Sequence, residues 1–271
     1  MRTKLLGGVS LAALCLLGFT PALAAPVVAS GDVGGGYSYS SFNNGGGHFN
    51  DWMVNGAGVL PIGSNWAVQG NLGYSNLSGS GASEDNTNGV ATGFFAGSFG
   101  RVGASVGYTR LSASHLTVDV TSYGGFGDWY ASDRFTVSAR GGGISGEGHS
   151  GGGSAHFSGA YYVGGQATGY VTPDLALNGT IDYVTLPVSG TSVQDTTYRV
   201  GGEYLLSHSM PLAVSAGYSY SDNKVFGFSA NANTFSIALK YYFGGGGSLE
   251  DHHRSGAESW GASSPVQKLI F

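Results

Sequence analysis

A segment that alternates apolar and polar residues over ten positions fits one local geometry, a β-strand with two unlike faces. Residues 234–243, TFSIALKYYF, put Phe235, Ile237, Leu239, Tyr241 and Phe243 on one face. Thr234, Ser236, Ala238, Lys240 and Tyr242 take the other. The same period recurs upstream. Leu212, Val214, Ala216, Tyr218 and Tyr220 form one such row, and Tyr198, Val200, Gly202, Tyr204 and Leu206 another. Leu175 to Tyr183, Trp66 to Tyr74 and Val102 to Tyr108 repeat it.

Twelve such segments can be marked, at 28–40, 50–60, 66–76, 89–97, 101–110, 116–127, 134–144, 155–170, 175–185, 195–206, 211–221 and 231–243. The weakest lie beside SFGR and LSASH, so eight or ten strands are the alternatives. Short links (PIGSN, SFGR, DWYASD, VTPD, SHSMP) alternate with longer polar ones at 41–49, 77–88, 143–154, 187–195 and 221–229. The segments exceed the five or six residues of an ordinary strand and match the roughly 9–11 needed to cross a bilayer at a tilt. Aromatic residues gather at strand ends: Tyr37, Tyr39, Trp52, Trp66, Tyr74, Tyr108, Tyr183, Tyr218, Tyr220, Tyr241 and Phe243. In hydrocarbon every backbone N–H and C=O must find a partner, so a membrane sheet must close. The expected fold class is all-β, a transmembrane antiparallel up-and-down β-barrel.

The N-terminus supports export. Arg2 and Lys4 precede an apolar run from Leu5 to Phe19, and Ala22-Leu23-Ala24 offers a small-x-small cleavage site. Residues 1–24 therefore read as a signal peptide. The single cysteine, Cys15, lies within it, so the mature chain is expected to contain none. Removing Arg2 and Lys4 from 11 basic residues leaves nine against 16 acidic ones, and no basic tract suggests nucleic acid. Charged residues make up 10% of the chain and aromatic ones 13%, a composition unlike that of disordered segments.

With the signal peptide, the alternating strands and ALKYYF at 238–243, the chain resembles the porin-like outer-membrane β-barrels of Gram-negative bacteria. The resemblance covers about residues 26–243, within an assigned barrel at 25–243. It implies a monomer in the cell outer membrane, in contact with lipid and lipopolysaccharide. It also implies that the barrel-assembly machinery reads a last strand ending in an aromatic residue, here Leu239, Tyr241 and Phe243. Members of the group commonly end at that aromatic. Here residues 244–271 follow, beginning GGGGS, and read as a flexible C-terminal tail outside the barrel.

The inward register places Asp119, Arg140, Asp182, Arg199, Glu203 and Lys240 in the lumen. Three acids and three bases suit an internal ion-pair network or a polar channel with weak charge selectivity. Outward glycines such as Gly70, Gly179 and Gly202 are expected to sit under neighbouring aromatic rings. Inward ones such as Gly73, Gly107 and Gly217 leave lumen space or allow bending. Nucleophile and acid–base candidates are few: Glu147-x-His149-Ser150 and Ser114-His115, both in polar links with no orienting partner evident. His48, His149, His156 and the His252–His253 pair lack metal-ligand spacing. No cofactor and no enzymatic activity are expected. The functional expectation is a passive channel for small polar solutes. The alternatives are a structural or surface-interaction barrel with a closed lumen and, behind both, an enzyme acting on lipid A or protein.

Overall fold

The computed structural model describes residues 28–43, 47–79, 82–114, 116–150, 152–188, 191–225, 228–257, 260, 264 and 265. The expected signal peptide and His115 lie outside the described residues. Twelve strands run in chain order: β1 (Ser30–Phe42), β2 (His48–Pro61), β3 (Trp66–Gly79), β4 (Ala82–Gly97), β5 (Gly100–Ala113), β6 (Leu116–Ser132), β7 (Phe135–Ser150), β8 (Gly153–Thr172), β9 (Leu175–Val188), β10 (Thr191–Ser207), β11 (Leu212–Val225) and β12 (Phe228–Gly244). Each pairs antiparallel with its sequence neighbours, and β1 pairs with β12 to close the barrel. In that seam Val33 stands opposite Tyr241 and Tyr39 opposite Phe235.

The strands are longer than the alternation suggested. The polar stretch 77–88, read as a long link, is mostly ladder: β3 continues to Gly79 and β4 begins at Ala82. The stretch at 143–154 behaves the same way, with β7 reaching Ser150 and β8 starting at Gly153. Serine, asparagine and glycine lower strand propensity, but neighbouring strands still supply backbone partners, interrupted between Ile144 and Gly146 by a bulge against β8. Polarity there marks where the hydrocarbon ends, and the hydrogen-bonded ladder continues into water.

The faces are inverted relative to a soluble protein. Leu72 is 73% exposed, whereas Gln69 on the same strand is 3% exposed. Phe235, Ile237, Leu239, Tyr241 and Phe243 all point outward. Cross-strand aromatic pairs stud the outer surface, among them Tyr37–Trp52 (4.8 Å between centroids), Tyr218–Phe235 (5.1 Å) and Trp66–Phe95 (5.5 Å). An apolar band flanked by aromatic residues is the lipid-facing surface of a membrane barrel. Among the described residues no helix is long and apolar enough to cross a membrane.

Two expectations need correction. No aromatic ring covers Gly70 or Gly179: a Cβ added at either would meet nothing within 4 Å. The tail does not hang free outside the barrel. Helix α1 (Leu249–Ser255) follows β12 directly, opened by a Ser248–Asp251 capping box. Leu249 is fully buried among Tyr170, Ala176, Leu205, Ala213 and Tyr242. The glycines taken for a linker make the reversal. Gly244 and Gly245 have φ of +67° and +76°, a region closed to most side chains. A Cβ on Gly244 would also lie 2.2 Å from the Ala29 carbonyl oxygen. The apolar Leu249, invisible to a period-two reading, finds its burial inside the wall.

Candidate functional site: a polar lumen occupied by the C-terminal segment

Among the described residues the inner wall carries three charge pairs, and the tail engages residues of each. Near the short-turn end, Arg101 at the start of β5 donates from Nε to Asp128 on β6 at 3.1 Å. Its two terminal nitrogens donate to tail carbonyls, Gly256 at 2.9 Å and His253 at 2.8 Å. Farther along the lumen, Arg140 on β7 grips Asp182 on β9 through Nε (3.2 Å) and Nη2 (2.8 Å). Its Nη1 donates to the Trp260 carbonyl at 2.7 Å, and its guanidinium sits 4.5 Å from the centre of the Trp260 ring. Lys240 on β12 bonds Glu203 on β10 at 3.2 Å. Tyr242 donates to the same carboxylate, stacks on His252 at 4.6 Å and lies 3.3 Å from His253 Nε2.

Further contacts hold the described residues of the tail. Arg254 donates to the Ser132 carbonyl at 2.6 Å and packs over the Tyr130 ring at 4.8 Å. Tyr130 in turn donates to the Arg254 carbonyl at 3.1 Å. His208, in the β10–β11 turn, bonds the Gly247 carbonyl and lies 3.0 Å from Asp174. Ala257 packs on an inner apolar patch with Val59, Phe94 and Phe126. Ser264 reaches Thr109 on β5, hydroxyl to hydroxyl at 2.7 Å.

The opposite half of the lumen divides in two. One wall holds an apolar cluster of inward side chains, including Leu111, Val118, Val120, Ile144, Tyr162 and Leu186. The other borders a small vestibule of about 70 Å³. Its lining is dominated by hydroxyl and amide groups, among them Ser38, Ser40, Asn86, Thr197, Ser219 and Thr234, with Asp51 and Glu84 as its carboxylates.

The six charged residues assigned to the lumen are placed as follows. Arg140, Asp182, Glu203 and Lys240 face inward in the pairs above. Arg199 also faces inward, within electrostatic reach of Asp182 and Asp195. Asp119 is the exception and is corrected: it lies on the outer face. There it accepts from the Tyr108 hydroxyl and pairs with Arg110 at 3.3 Å, while its neighbours Val118 and Val120 fill the interior. A charge near the rim has water outside the barrel, and the inner wall at that level is apolar. The register reading missed Asp128, which falls in a segment taken as a turn, and Arg101, which stands where the SFGR link meets the 101–110 strand. The alternation Arg101, Gly103, Ser105, Gly107 would have put Arg101 inside.

No protein-family model and no curated protein matches the chain. Solved structures do. The translocator domain of autotransporter NalP from Neisseria meningitidis aligns with a TM-score of 0.53 at 14% identity, over 81% of this chain and 89% of that one. The chain has the fold of an outer-membrane β-barrel. The monoaromatic hydrocarbon channel CymD (TM-score 0.49, 11% identity, 81% and 89% covered) and the KdgM porin (0.46, 11%, 78% and 99%) share the architecture more loosely. At these identities the likeness is one of fold.

In this outer-membrane barrel, Glu84 stands close to the start of β4, beyond the outward Tyr74. Burial first, and then the Asp51 carboxylate, push its pKa from 4.5 up to about 7. Below that pH the vestibule holds a neutral acid, and above it a second negative charge. Cation preference, read as reversal potential in a salt gradient, is expected to rise between pH 6 and 8. Glu84→Gln should remove that rise; an unchanged profile in the variant would assign it elsewhere. The raised value also means that this group's contribution to stability falls as pH climbs from about 4.5 to about 7.

On the outer rim, Glu147 lies 3.2 Å from His156 and 3.9 Å from His149, which also lies 3.9 Å from Asp119. All of these side chains are solvated, and among the described residues no serine or threonine hydroxyl is bonded to either histidine.

Proposed function

We propose that this barrel is a passive channel for small polar solutes in the outer membrane and has no enzymatic role. The observation that carries this reading is the vestibule: hydroxyl and amide groups can exchange hydrogen bonds with passing water and solute without holding either tightly. The balanced charge pairs of the wall favour weak ion selectivity. The rim histidines, in contact with carboxylates and exposed to water, support solvation over catalysis. Leu239, Tyr241 and Phe243, on the outer face of the closing strand, are the proposed signal for the assembly machinery.

Conductance of the purified full-length protein in planar bilayers tests the channel. Discrete events are expected. Their absence at every applied voltage, from protein whose gel band shifts on boiling, would overturn the channel. A barrel with a permanently closed lumen, the reading favoured by the tail's presence inside, would then stand.

A further inference from the structure

We propose that the lumen is a peptide-binding site for the chain's own C-terminal segment, seated through residues 249–257, Trp260 and Ser264, and that release of this segment opens the channel. The inference rests on the channel reading above. It begins from the donors of the inner wall. Arg101 and Arg140 each satisfy a wall carboxylate with part of the guanidinium and spend the remainder on tail carbonyls. Carbonyl oxygens from His253, Gly256 and Trp260 are thus read at 2.7–2.9 Å by fixed wall cations. Arginine's planar fork suits such divided recognition better than a lysine point charge.

Side chains add discrimination. Trp260 is 7% exposed and lies under Arg140, a cation–π contact in a desolvated setting. Leu249 fills an apolar socket and is fully buried. The site therefore fits a peptide with a leucine, a short helical turn and a tryptophan in that order. Nothing covalent beyond the chain itself holds the segment there. Apart from the apolar seats of Leu249 and Ala257, wall and tail meet through polar contacts that water can replace, and the Gly244–Gly245 turn gives the segment a pivot at the barrel's edge. The wall charges remain paired with Asp128 and Asp182 when the tail leaves, so departure strands no buried ion.

A reversible lock tests this in the full-length chain. Thr109→Cys with Ser264→Cys replaces two hydroxyls 2.7 Å apart, in a mature chain expected to carry no other thiol. Oxidation should form the disulfide in membrane-embedded protein and abolish conductance, and reductant should restore it. Trp260→Ala, with the lock absent, should raise open probability by about tenfold, equivalent to about 1.4 kcal/mol. If no disulfide forms in protein that still shows a heat-modifiable band, the tail is not seated and the proposal falls. A disulfide that forms without changing conductance also overturns it and leaves the channel reading intact. A disulfide that forms in protein silent in every state, the Trp260 variant included, makes the tail a permanent core and overturns both.

Discussion

Replacing Arg101 with methionine should lower barrel stability by about 3–5 kcal/mol, the usual cost of leaving one half of a buried ion pair. The side chains of Arg101 and Asp128 are 3% and 1% exposed. Methionine fills much of the arginine stem's volume, so the loss is electrostatic more than steric. The tail loses two carbonyl contacts at the same time. The double variant Arg101→Met/Asp128→Leu removes both charges and should recover most of the deficit, because apolar replacement of a buried pair is often neutral. The tail contacts would stay lost. Urea midpoints of protein in lipid vesicles measure the first effect, and trypsin cleavage at Arg254 measures the second. A single variant within 1 kcal/mol of the parent would show that water reaches Asp128 and that this pair is not desolvated in the barrel interior.

The architecture was legible because the physics that imposes it acts at every position. Lipid outside and a polar lumen inside force period two on Trp66 to Tyr74 as strictly as on Phe235 to Phe243. Twelve rows and the β1–β12 seam follow from counting them. Strand ends were less legible, because Asn76, Asp85 and Asn86 carry ladder bonds as well as aliphatic residues do once they stand above the hydrocarbon. Asp119 shows the same limit: near the rim, charge no longer reports which way a residue faces. The tail was opaque for a different reason. Its ligands are scattered along the barrel, with Arg101 and Thr109 on β5, Arg140 on β7, and Tyr130, Tyr170 and Tyr242 on three other strands. No local pattern in LEDHHRSGAESW announces them. One clue was present: Leu249 and Trp260, two apolar side chains in a polar stretch, each need cover.

Glycine content offers the second large effect, since the same residue type plays opposite parts at different positions. Gly142 on β7 faces the interior beside Gly124 on β6, and Tyr162 lies across them. A Cβ on Gly142 would stand 2.0 Å from the Tyr123 carbonyl oxygen and 2.6 Å from the Gly124 Cα. Both are backbone atoms, so no rotamer change relieves the clash, and the β6–β7 ladder must part. Gly142→Val should therefore cost about 3 kcal/mol, at the upper end of overpacking, despite valine's better strand propensity. Gly70→Val and Gly179→Val place the same side chain in open space on the lipid face. There valine recovers the roughly 0.5–1 kcal/mol that glycine costs in a strand and adds apolar surface to the band. Urea midpoints in vesicles should fall for the first variant and hold or rise for the other two. A uniform loss across all three would mean that glycine is needed throughout the wall for curvature, and that close approach at Gly142 has no special weight.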